Sequence, residues 1–129
     1  MATESPKNLS RRERQIMDVI YERGRASATE VMNSLPDTLS YSAVRTFLRI
    51  LENKGHLKHR KEGKRYIYLP ITPRVSAGKS ALKRVLQTFY GGSVEKAVAA
   101  ILDISDVKNS DEDLERLADL IEQTRKEGR

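Results

Sequence analysis

The sequence predicts a mainly α-helical chain with one small β-hairpin, arranged in two parts. Three observations carry this. Helix-start signals recur through the first half, a basic alternating stretch follows them, and everything beyond Pro73 is purely helical in its period. The 129 residues suffice for one domain or two small ones. At 38% hydrophobic and 33% charged, they build a thin core.

Each element can be justified in order. Ser10 with Glu13 forms a capping box, so a first helix starts near Arg11 and carries Ile16, Val19 and Ile20 on its apolar stripe. Gly24 stops it. Ser27 with Glu30 repeats the signal for a short helix through Val31 and Leu35, closed by Pro36. After a turn at 37–39, Ser42 can cap a third helix, 43–54, that runs to Gly55. Its Val44, Phe47, Leu48 and Leu51 share one face. At roughly 100° per residue, Ser42, Arg45, Thr46, Arg49 and Asn53 converge on the other. Arg45 and Arg49 stand four apart with no acid between them, a mildly repulsive pair that an ordinary solvated face avoids.

The stretch "LKHRKEGKRYIYLP" comes next. Strands at 57–61 and 65–71 pair around Glu62-Gly63-Lys64, with Gly63 supplying a positive φ. Tyr66, Tyr68 and Pro70 fall on one face and Ile67, Leu69 and Ile71 on the other, which leaves the core side open. Helix, short helix, turn, cation-faced helix and basic hairpin follow the order of a winged helix-turn-helix. The connector from Pro36 to Tyr41 is longer than the turn of the compact motif, which suits the winged variant. A major groove about 12 Å wide admits one helix. Hairpin cations can then bind the neighbouring phosphates and release counterions.

Beyond the boundary at Pro73 three apolar stripes follow. They are Leu82, Val85, Leu86 and Phe89; Val94, Ala97, Val98, Ile101 and Leu102, with Ser93 as N-cap; and Leu114, Leu117, Ala118 and Ile121, with Ser110 as N-cap. Three narrow stripes in some fifty residues are marginal alone, as are domains below roughly 40–60 residues. A second copy of the chain would bury them. An intramolecular bundle, or packing back on the first half, are the alternatives.

The charge divides along the same line. Residues 1–72 hold 14 Lys and Arg against 8 Asp and Glu, whereas residues 73–129 hold 10 against 10. All of the net +6 lies in the first half, as a nucleic-acid surface or a solubilising one requires. No Cys is present, which removes disulfides and thiolate metal sites. No apolar run reaches the ~18 residues of a membrane helix, and "MATESPKNLSRRER" has no signal region, so a cytoplasmic protein is expected. His56 and His59 lack further ligands beyond Glu52 and Glu62 nearby, so no metal is expected. No nucleophile elbow or phosphate loop is present, and "SDEDLE" is a helix start rather than a calcium loop. Neither an enzyme nor a cofactor is expected.

The segment "VRTFLRILENKGHLKHRKEGKRYIYLP" resembles the BlaI/MecI family of bacterial penicillinase repressors. The matching positions are Val44, Thr46, Leu48, Lys54 and Gly55, then Lys61, Glu62, Gly63, Tyr68 and Pro70. The later "TFYGGSVEKAVAAIL" is similar to the family's segment between dimerisation helices. The resemblance covers residues 9–125. It implies a DNA-binding winged-helix domain (1–73) and a three-helix dimerisation domain (74–129). It further implies a homodimer on a palindromic operator, with a membrane metalloprotease sensor in the β-lactam-responsive members. DNA contacts are expected from Ser42, Arg45, Thr46 and Arg49, and from Lys61, Lys64 and Arg65 in the wing. Dimer contacts are expected from Leu82, Val85, Leu86, Phe89, Val98, Ile101, Leu102, Leu114, Leu117 and Ile121. Ile50 stands where many members have Arg, and Ala100-Ile101 where well-known members carry the cleaved Asn-Phe pair. Without Cys, the copper-responsive branch's motif is absent. The competing function is a winged-helix adaptor that binds proteins, or a binder of double-stranded RNA.

Overall fold

A computed structural model describes residues 9–104 and 110–128. The described chain forms two compact units that divide at Ser80/Ala81. The first holds α1 (Arg11–Arg23), β1 (Ala26–Ser27), α2 (Ala28–Ser34), α3 (Tyr41–Asn53), β2 (Leu57–Glu62) and β3 (Arg65–Pro70). Then come α4 (Arg74–Tyr90), α5 (Val94–Asp103) and α6 (Asp111–Lys126). The order is that of a winged helix: three helices, with a small antiparallel sheet ordered β1-β3-β2.

Local chemistry sets most boundaries. Both capping boxes form. Ser10 Oγ accepts from the Glu13 N–H while the Glu13 carboxylate accepts from the Ser10 N–H, and Ser27 and Glu30 repeat the pattern. Each satisfies two backbone donors that a helix start otherwise leaves without partners. Gly24 ends α1 with φ 85°. The expected start of the third helix is corrected: Ser40, not Ser42, is the N-cap, and its hydroxyl accepts from the Ala43 N–H at 3.0 Å. The helix is Tyr41–Asn53 rather than 43–54.

The core of the first unit joins all its elements. Ile16 and Ile20 of α1, Val31 of α2, Val44, Leu48 and Leu51 of α3, Leu57 of β2 and Tyr68 of β3 are all buried. Strand β1 was not foreseen. Ala26 pairs with Tyr68 and Ser27 with Ile67, which makes β3 the central strand. Ile67 and Tyr68 are therefore both buried although they point to opposite faces. The hairpin is slightly shorter than expected at its end, closing at Pro70 rather than Ile71. Its register, Glu62 opposite Arg65, leaves Gly63-Lys64 as a two-residue loop with Gly63 at φ 66°.

The later helices differ in kind. Ser93 and Ser110 cap α5 and α6 as expected. Acidic residues open α6 and Arg125 and Lys126 close it, complementing its dipole. No residue of α4, α5 or α6 is buried. Phe89 is 70% exposed and Leu82 59%.

Candidate nucleic-acid interface

The N-terminal half of α3, the start of α2 and the wing line one open groove of about 310 Å³. Tyr41 and Arg45 come from α3, Thr29 from α2, and Lys61, Lys64, Arg65, Tyr66 and Tyr68 from the hairpin. Alternation along the strands explains the set. His59, Lys61, Tyr66 and Tyr68 share one face through the pairs His59–Tyr68 and Lys61–Tyr66.

The wing is fastened to α3 by side chains. His59 Nδ1 lies 2.7 Å from a Glu52 carboxylate oxygen. The His59 ring stacks on Tyr66, with centroids 4.4 Å apart and planes at 26°. The Arg45 guanidinium carbon then sits 5.9 Å from the Tyr66 centroid and 5.8 Å from that of Tyr41. On the outer side, Glu62 accepts from Arg25 at 2.8 Å and from Arg60 at 3.0 Å. Desolvation pushes the Glu62 carboxyl up, but the two guanidinium groups outweigh it and hold it below its ordinary value.

Comparison with known proteins now decides the family. The profile of the penicillinase repressor family matches residues 9–123. The chain belongs to the penicillinase repressor family. It is 27% identical to the penicillinase repressor of Bacillus licheniformis, over 89% of this chain and 90% of that one. It is 23% identical to an uncharacterised 16.5 kDa protein from the ptsI 3' region of Latilactobacillus sakei, covering 84% of this chain and 75% of that protein. The solution structure of the DNA-binding domain of the repressor BlaI is similar at 31% identity and TM-score 0.49. It covers 54% of this chain and 87% of its own. As a family member the chain is a DNA-binding transcriptional repressor and not an enzyme.

Within this penicillinase repressor fold, the residues singled out by sequence separate into two groups. Arg45, Lys61, Lys64 and Arg65 meet at the groove. Ser42, Thr46 and Arg49 are exposed on α3 but do not line it. The Thr46 hydroxyl donates to the Ser42 carbonyl at 3.1 Å, a bond within the helix. Sequence reasoning missed Tyr41, Tyr66 and the Glu52–His59 pair. The signal was available for Tyr41, which precedes Arg45 by four residues, the spacing at which helical side chains meet. Among the described residues no group of three His, Asp or Glu side chains is placed to hold a metal ion. No described helix is long and apolar enough to cross a membrane.

Proposed function

We propose that this repressor acts as a cytoplasmic homodimer on a palindromic operator. Each protomer places α3 in the major groove and the β2–β3 wing on the flanking backbone. The observation that carries this is the convergence of Arg45 from α3 with Lys61, Lys64 and Arg65 from the wing on one groove. Arg45 and Arg49 read base edges, with Ser42 and Thr46 beside them, while the wing cations supply sequence-independent affinity. The domain assignment follows: 1–73 binds DNA and 74–129 dimerises. Leu82, Phe89, Val98, Ile101, Leu102, Leu114, Leu117 and Ile121 are exposed apolar side chains on three helices without a core. With the half-buried Val85 and Leu86, they form the surface for the second copy. Half-sites then lie about 34–36 Å apart, or a multiple of that. Ala100-Ile101, within α5, stands where β-lactam-responsive members carry the cleaved Asn-Phe pair, so the repressor lacks that cleavage sequence at this place.

The test is gel-shift titration of a duplex that the protein selects from a random pool. Arg45→Ala and Arg49→Ala should each cost about 1–3 kcal/mol in binding while leaving the fold intact. Lys61→Ala or Lys64→Ala should weaken all duplexes alike and reduce the salt slope by roughly 1. Parent-like affinity in both arginine variants would refute the recognition-helix assignment. An affinity nearly independent of salt would point to a protein-binding adaptor instead.

A further inference from the structure

Most arginines of the first unit that make a polar contact end on an acid. Arg12 pairs with Asp37, Arg23 with Glu30, and Arg25 and Arg60 with Glu62. Arg45 is held differently. Among the described residues no carboxylate pairs with it, and its guanidinium carbon lies 5.8 Å from the centroid of the Tyr41 ring and 5.9 Å from that of the Tyr66 ring. The Tyr41 side chain beside it also keeps the guanidinium above its ordinary pKa. An acid partner would fix the side chain but cancel its charge and compete with DNA for its donors. Aromatic faces fix it through their quadrupole and leave the charge and most of the five N–H donors available.

Both rings are themselves placed by the fold. Tyr41 is the first residue of α3, directly after the Ser40 N-cap, and lies one turn before Arg45. Tyr66 is stacked by His59, and His59 is bonded to Glu52 at the far end of the same helix. The chain of contacts leaves α3 at Glu52, crosses the wing through His59 and Tyr66, and returns to α3 at Arg45. The wing thereby orients a side chain of the recognition helix, beyond any phosphate contact of its own.

We propose that Tyr41 and Tyr66 are positioning residues that clamp the Arg45 guanidinium in its base-reading conformation before DNA arrives. The inference rests on the operator-binding reading above and adds to it the source of the helix's specificity. An unclamped arginine loses a large rotamer entropy on binding. A clamped one has lost it in the free protein, so the gain appears as affinity for the correct duplex only.

The experiment uses the full chain, a labelled duplex that the parent protein has selected from a random pool, and a scrambled duplex of equal length. Tyr41→Ala and Tyr66→Leu should each weaken the selected duplex about two- to ten-fold and leave the scrambled one unchanged. Tyr66→Phe, which keeps the ring, should stay within about two-fold of the parent. In an Arg45→Ala background the tyrosine substitutions should have no further effect. Thermal unfolding checks each variant. Should Tyr66→Leu not fold, Tyr41→Ala carries the test, since Tyr41 is 48% exposed on a first helical turn.

Three results overturn the clamp: equal losses on both duplexes, losses that persist without Arg45, or tighter binding once a ring is removed. The last would mean that the rings withhold Arg45 from DNA. In each of these cases a large loss from Arg45→Ala alone leaves the operator reading standing. If Arg45→Ala binds the selected duplex as the parent does, both readings fall together.

Discussion

Lys54 reaches from the C-terminal end of α3 to Glu13 Oε1, 2.9 Å away on α1. In the sequence it was a position of the family motif beside Gly55, with no visible task. Its ammonium partners a carboxylate that is only 5% exposed and already caps its own helix through the Ser10 N–H at 3.0 Å. Burial pushes the Glu13 carboxyl up, but the Lys54 and Ser10 donors prevail and hold it below its ordinary value of 4.5. A carboxyl depressed in the folded state adds stability above the unfolded value, and that stability disappears as pH falls through the folded one. Glu13→Gln should therefore cost about 1–3 kcal/mol at neutral pH. The gap to the parent should narrow below pH 4.5, followed by urea unfolding across pH. A gap constant with pH would assign the loss to packing. The place of Arg45 on the polar face of α3 was legible at this scale, because a helical wheel needs only spacing. The Tyr66 ring beside it was not, because it arrives from β3 through the long-range fold.

Among the elements, the capping boxes show what short-range chemistry can reveal. Ser10–Glu13 and Ser27–Glu30 fix two helix starts from four residues each, since donor and acceptor lie within one turn. The start of α3 was misplaced because Ser40 and Ser42 both have the chemistry of an N-cap, and only packing chooses. The choice adds Tyr41 to the helix and brings it within reach of Arg45. β1 escaped notice because two residues carry no period, and its pairing with β3 is set by the long-range fold. That pairing also explains why neither face of β3 could be identified as the core side. The wing turn was legible from Gly63 alone. A Cβ there meets no atom within 4 Å, so any penalty comes from the backbone at φ 66°. Gly63→Ala should cost about 1 kcal/mol, lowering the melting midpoint of the first unit by about 4–8 °C. A parent-like midpoint in calorimetry would mean that the turn adopts a different geometry at no cost.

For the whole molecule, the apolar stripes of α4, α5 and α6 were legible from helical spacing, but what covers them was not. No residue of these helices is buried within one chain, and apolar surface of this kind supports the proposed second copy. Leu117→Glu together with Ile121→Glu should make the protein monomeric in sedimentation equilibrium. The α1–α3 core lies in the other unit and should keep its own unfolding transition. Loss of the second reading head should weaken a palindromic duplex by about 10²- to 10⁴-fold, with little effect on a single half-site. A dimer surviving both charges would move the interface elsewhere. The basic excess of residues 1–72 is placed where such a molecule needs it, on the unit carrying the groove.

Glu62 gives this distribution a kinetic meaning. By holding Arg25 and Arg60, it withdraws two cations from those the wing could offer to phosphate. A repressor must find its site among a vast excess of wrong ones, and each extra phosphate contact lengthens its stay on every wrong site. Replacing Glu62 with Gln should lower the dissociation rate from random duplexes in stopped-flow chase experiments and leave the preference for the selected one reduced. In this view the single acid of the hairpin sets how quickly the protein lets go, so that the search can continue.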